Sequence, residues 1–69
     1  PQKATESITP PRNALQAGDT VTVTINYNDG ENIGTGVGTK TVQSPSRKDV
    51  AIRAARLQAK GSLTDQFSS

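Results

Sequence analysis

The chain has no cysteine, histidine, methionine or tryptophan, and its aromatic content is Tyr27 and Phe67 alone. Without thiols there is no disulfide framework and no thiolate metal clip. Without imidazole the commonest metal ligand and general base are also missing, so a serine or threonine nucleophile would have to use lysine as its base. No cofactor, no metal and no enzymatic activity are expected. Apolar residues make up only 30% of the 69, seven of them alanine. No run is long enough to span a bilayer and there is no signal-peptide pattern, so no membrane partner is expected, and the compartment stays open. Fourteen larger apolar side chains are a meagre core for one small domain. Such a chain either leaves part of itself unordered or completes its core against a neighbour.

Alternation organises the middle of the chain. Val21, Val23, Ile25 and Tyr27 alternate with Thr20, Thr22, Thr24 and Asn26, the period of a strand with one buried face. Asp29-Gly30 is turn chemistry. Beyond it, Ile33, Thr35, Val37 and Thr39 alternate with Gly34, Gly36 and Gly38. Matching apolar faces predicts Tyr27 opposite Ile33, Ile25 opposite Thr35, Val23 opposite Val37 and Val21 opposite Thr39. In that register the three glycines lie on the other side, beside Asn26, Thr24 and Thr22. Gly34, Gly36 and Gly38 then form a bare face on which another backbone can pack closely.

The expected fold class is α+β, a β-hairpin followed by one amphipathic helix. Residues 1–19 read as an extended arm, interrupted by Pro10 and Pro11, with a short helical turn at Arg12–Ala17 ended by Gly18. Residues 20–61 form the ββα core and residues 62–69 a C-terminal tail anchored by Leu63 and Phe67. Ser46 is the expected N-cap of the helix, Asp49 sits in its first turn, and Gly61 is its expected stop. At 100° per residue Val50, Ala54 and Leu57 share a face suited to covering the hairpin, with Arg53, Arg56 and Lys60 beside it. Ile52, Ala55 and Ala59 fall on a further side, expected to meet the arm, the tail or a partner.

Positive charge concentrates on the helix, where Arg47, Lys48, Arg53, Arg56 and Lys60 face a single Asp49. These five cations are the candidate phosphate or partner contacts. The carboxylates are scattered. Asp29 and Glu31 are close, but in a solvated turn rather than a pocket. Gly34-Thr35-Gly36-Val37-Gly38 has the glycine density of a phosphate loop without its spacing, and no helix begins directly after it.

The order strand, glycine-rich strand, then Ser46-Arg47-Lys48-Asp49 leading to Ala54-Ala55 resembles the C-terminal half of a double-stranded RNA-binding domain. The resemblance implies that Arg47 and Lys48 contact phosphate. It covers less than half of the chain. Ala51 stands where the family has a third lysine, residues 39–45 are an insertion, and no helix precedes the hairpin.

Two functions follow as expectations. The first is a non-catalytic structural or assembly subunit of a larger complex, a virion component for instance, joined to protein neighbours or to itself through arm, tail and sheet. The alternative is a small RNA-binding module that uses the basic helix.

Overall fold

The computed structural model describes residues 3–68. It is an α+β fold: a three-stranded antiparallel sheet followed by one helix. Strand β1 is Ala4–Thr9, β2 is Thr20–Asn28, β3 is Ile33–Thr41, and helix α1 is Lys48–Phe67. The strands lie in the order β1-β2-β3, so β2 is central. The expected hairpin is therefore two-thirds of the sheet. Much of the expected N-terminal arm is a third strand, pairing Ala4 with Tyr27, Glu6 with Ile25 and Ile8 with Val23. Alternation in Ala4–Thr9 is too weakly apolar to announce a strand; backbone pairing along β2 supplies the order that side chains do not.

The β2–β3 register differs by one residue from the expected one, with Val21 opposite Lys40, Val23 opposite Gly38, Ile25 opposite Gly36 and Tyr27 opposite Gly34. The turn is the reason. Asp29 Oδ1 accepts from the backbone N–H groups of Glu31 and Asn32, and Asn28 Oδ1 accepts from Gly30, whose φ is +94°. These bonds close a four-residue loop between Asn28 and Ile33 instead of the five residues that apolar matching requires. A slip of one residue turns every side chain of β3 over. The glycines thus share a face with Val21, Val23 and Ile25, and Ile33 and Val37 are exposed on the other side, at 75% and 47%.

What fills the space over the glycines is α1. Its buried residues are Ala51, Ile52, Ala55 and Ala59, the side expected to meet a partner, while Val50 and Leu57 stay exposed. The choice of face is steric. A Cβ placed on Gly36 would run into the Ala59 carbonyl oxygen, and one on Gly38 into the Ala55 carbonyl oxygen. Only alanine on the helix and glycine on the strand leave room for backbones this close; Val50 or Leu57 in the same place would hold them apart. Leu15, Val21, Val23, Ile25 and Val42 complete the core. Leu15 is carried in by a single 3-10 turn at Arg12–Ala14, and Gly18 and Asp19 bond through their backbones to Val42.

Both helix boundaries differ from expectation. Pro45–Arg47 form a 3-10 turn, α1 begins at Lys48, and no side chain caps it; Ser46 instead lies 3.3 Å from Ser44 through their hydroxyls. At the other end Gly61 lies within the helix, which runs on to Phe67 and absorbs the expected tail. Packing overrides the glycine there: Leu63 packs against the core, and the Phe67 ring meets Tyr27 edge-on with centroids 5.7 Å apart.

Replacing Gly36 by alanine is expected to cost about 3 kcal/mol or more, because the obstacle is helix backbone. Gly34→Ala should cost about 1 kcal/mol, since its new Cβ meets the movable ends of Phe67 and Leu63, at 2.9 and 3.0 Å. Urea midpoints followed by circular dichroism check the order; equal losses would contradict the close-contact account. Gly61→Ala, with nothing within 4 Å of the new Cβ, should stabilise the helix by about 0.5–1 kcal/mol in the same assay.

Candidate functional site

Three surfaces carry the chemistry that the fold presents. The first is the outer side of α1. Of the five candidate cations, Arg56 is committed within the fold: its Nε donates to Glu6 Oε1 at 2.6 Å and its Nη2 to Glu6 Oε2 at 3.1 Å. This fork ties the helix to β1 and holds the Glu6 carboxyl below its ordinary pKa, with Lys60 adding to the effect. Arg53 and Lys60 are exposed on the solvent side of α1, flanking Leu57, which is 72% exposed. Arg47 and Lys48 sit at the start of the helix, apart from that pair. The five cations therefore do not form one stripe. Among the described residues, Arg47, Lys48, Arg53 and Lys60 have no carboxylate within ion-pair distance.

A cleft of about 430 Å³ opens between the end of β3 and the first turns of α1, lined by Lys40, Gln43, Arg47, Val50 and Ala54. Arg12 lies close to the start of the helix, where it holds Asp49 at 2.8 Å and lowers that carboxyl's pKa. Lys40 and Arg47 set two cations beside an apolar wall, with Thr41 on the same rim. Among the described residues no three groups of metal-binding type come together.

The second surface is the sheet face away from the helix; reasoning from the sequence placed its β3 residues, Ile33, Thr35, Val37 and Thr39, on the inside and its β2 residues, Thr22, Thr24 and Asn26, on the bare face. It presents hydroxyls from every strand, Thr5 and Ser7, Thr22 and Thr24, Thr35 and Thr39, together with Asn26, Ile33 and Val37. No strand position from Ala4 to Thr9, Thr20 to Asn28 or Ile33 to Thr41 places a charge there: Glu6 and Lys40 lie on the helix side, with Ile25 and Val21. Thr35 Oγ1 donates to Asn26 Oδ1 at 2.9 Å across the β2–β3 pair. The threonine alternation in β2 was the available signal for this face.

The third surface is the pair of sheet edges, and they differ. Along β3 the helix supplies the missing neighbour: Thr39 N–H donates to Gln58 Oε1 at 2.6 Å, and Gln66 accepts from Thr35 N–H while its Nε2 donates to the Thr35 carbonyl. Along β1 no such cover exists among the described residues. Of the expected close-packing positions, Gly36 and Gly38 admit the backbone of the chain's own helix, whereas Gly34 meets the side-chain ends of Leu63, Gln66 and Phe67.

Asp29 is occupied by the N–H groups of Asn32 and Glu31 and by the Tyr27 hydroxyl, which together lower its pKa to about 2. No protein-family model matches the chain, and no curated protein or solved structure matches it either. The described part of the chain has no helix ahead of its sheet, a departure from the pattern of the double-stranded RNA-binding domain.

A depressed folded-state pKa gives stability that is present above the unfolded value of about 3.9 and is lost as pH falls through about 2. Asp29→Ala is thus expected to be less stable than the parent at pH 7, with the gap closing steadily between pH 4 and 2. Urea midpoints at pH 7, 4 and 2 test this, and a gap that stays constant with pH would contradict it. Glu6 and Asp49, also lowered, are present in both proteins and cancel in the difference.

Proposed function

We propose that this protein is a non-catalytic structural subunit that enters a larger assembly through the open face of its sheet. The observation that carries the reading is the combination of exposed Ile33 and Val37 with a face on which the three strands place no charge, Lys3 lying in register only at its corner beside Asn28. Solvated protein surfaces are ordinarily rich in lysine and carboxylates, whereas charge depletion marks the centre of an interface. Threonine and asparagine at the same surface can hydrogen-bond to a partner without the desolvation cost of ions. A virion shell or another multi-subunit particle is an assembly of this kind.

A second reading, a small RNA-binding module, is favoured by Arg53 and Lys60 standing free on the outer helix and by Arg47 at its start. The two readings use opposite sides of the molecule, so they separate cleanly. Hydroxyl-radical footprinting of the isolated chain and of the chain in extracts of its source, at its native mass, is the test. The assembly reading expects Ile33 and Val37 to be oxidised in isolation and protected in the extract, and expects Val37→Asp to leave a folded chain that no longer enters the high-mass fraction. Unchanged oxidation with normal entry of Val37→Asp would overturn it. The RNA reading expects duplex RNA to bind with affinity falling steeply with salt, and Arg53→Glu with Lys60→Glu to abolish it.

A further inference from the structure

The register of β1 carries an inference about a different surface, its free edge. The carbonyl of Lys3 accepts from Asn28 N–H at 2.8 Å, and the β1–β2 register continues directly from that pair. In an antiparallel ladder such bonded pairs recur at every second residue, so Thr5, Ser7 and Thr9 bond to β2. The N–H and C=O groups of Ala4, Glu6 and Ile8 therefore point away from the sheet. The opposite edge is occupied by Gln58 and Gln66. On β1 the helix supplies a single long-range bond pair, Arg56 to Glu6, and it goes to the side chain, leaving the backbone edge open.

We propose that two copies of this chain pair through β1, antiparallel and centred on Glu6, to make one six-stranded sheet. The outward groups are symmetric about that centre: Ala4 would meet Ile8 of the second copy, Glu6 its counterpart, and Ile8 Ala4, about six backbone hydrogen bonds in all. The strand between Ala4 and Thr9 contains neither proline nor lysine, two residues that commonly block an edge. On the helix side, two Glu6 carboxylates would come face to face, an arrangement that ordinarily repels. Here each already sits on its own Arg56 with Lys60 nearby, so the pair would lie among four cations. That charge balance is what a second copy offers and a neutral peptide strand does not. On the other face Thr5 would stand beside Ser7 of the second copy. Helix α1 packs on β3 and β2, which leaves room over β1 for the partner strand. A six-residue edge, about 20 Å long, falls in the small-interface class of weak complexes, below about 1,200 Å². The dimer should accordingly form only at high concentration.

The experiment is sedimentation equilibrium of the full chain from about 10 µM to about 1 mM, the range in which weak interfaces of this size report. The expected result is a rise from 7.2 kDa toward twice that mass. Ala4→Pro removes an outward N–H without touching the bonds to β2, as edge prolines do. It should abolish the rise while leaving the circular dichroism spectrum and urea midpoint unchanged. Independently, the double variant Thr5→Cys with Ser7→Cys should give disulfide-linked dimers under mild oxidation, because these positions face each other about 4.5 Å apart in the proposed register. Each single variant should crosslink far less. A chain that stays monomeric throughout, or a dimer that persists in Ala4→Pro and fails to crosslink, overturns the proposal. Val37→Asp is expected to leave this dimer intact, so loss of the dimer and loss of the open-face contact are separate results.

Discussion

The contact between the helix backbone and the β3 backbone at Gly36 and Gly38 sets the position of everything else. With no Cβ on the strand and only alanine on the helix, α1 settles low on the sheet, its Ala55 and Ala59 carbonyls where strand side chains would otherwise stand. Depth fixes rotation. Once Ala51, Ala55 and Ala59 are turned inward, Ile52 and Arg56 must lean toward β2 and β1, Leu63 sits over Gly34 and Gly36, and Gln58 and Gln66 reach the outer edge of β3. Val50, Arg53, Leu57 and Lys60 are left facing solvent. Dispersion between surfaces this close is small for each atom pair and large in sum, which is how a glycine–alanine seam holds without bulky side chains.

The same placement makes the molecule one-sided. A helix lying over the centre and one edge of a three-stranded sheet covers one face of β2 and β3 and satisfies the β3 edge with glutamine amides. It leaves the other face and the β1 edge to be dealt with by something else. The open face is polar with no charge on its strands, and the β1 edge is regular without being blocked. The Glu6–Arg56 fork is the one long-range ion pair that links the helix to that edge strand. It also shows why counting cations on a helix overstates a nucleic-acid signal. Arg56, one of the five cations, is engaged by Glu6.

The α+β class, the turn at Asp29-Gly30 and the existence of the helix were legible from alternation, turn chemistry and charge pattern. The close approach of a backbone to the glycines was legible too, but not which backbone. The register was lost because apolar matching treated Ile33 and Val37 as core. In the molecule the side-chain bonds of Asn28 and Asp29 set the loop length first, and helix alanines pack over the glycines while Ile33 and Val37 face away. The wrong helix face followed from the same assumption, that the largest apolar residues mark the buried stripe. Where two backbones nearly touch, the smallest residues mark it instead. Strand β1 was illegible for another reason: ATESIT has little apolar content, and its order comes from hydrogen bonds to β2 rather than from burial.

A seam of this kind has an energetic consequence. Glycine and alanine bury little apolar area per residue, and three of the nine core residues are alanine, so the contact specifies geometry more than it supplies stability. A partner that binds only the folded chain adds stability in proportion to RT ln(1 + [L]/Kd). A subunit whose own core is thin, and whose open surfaces are uncharged or unpaired, gains most from that linkage. Folding and association would then be coupled along the same sheet: whatever covers Ile33 and Val37, or continues β1, also secures the register that keeps Gly36 and Gly38 beneath the helix.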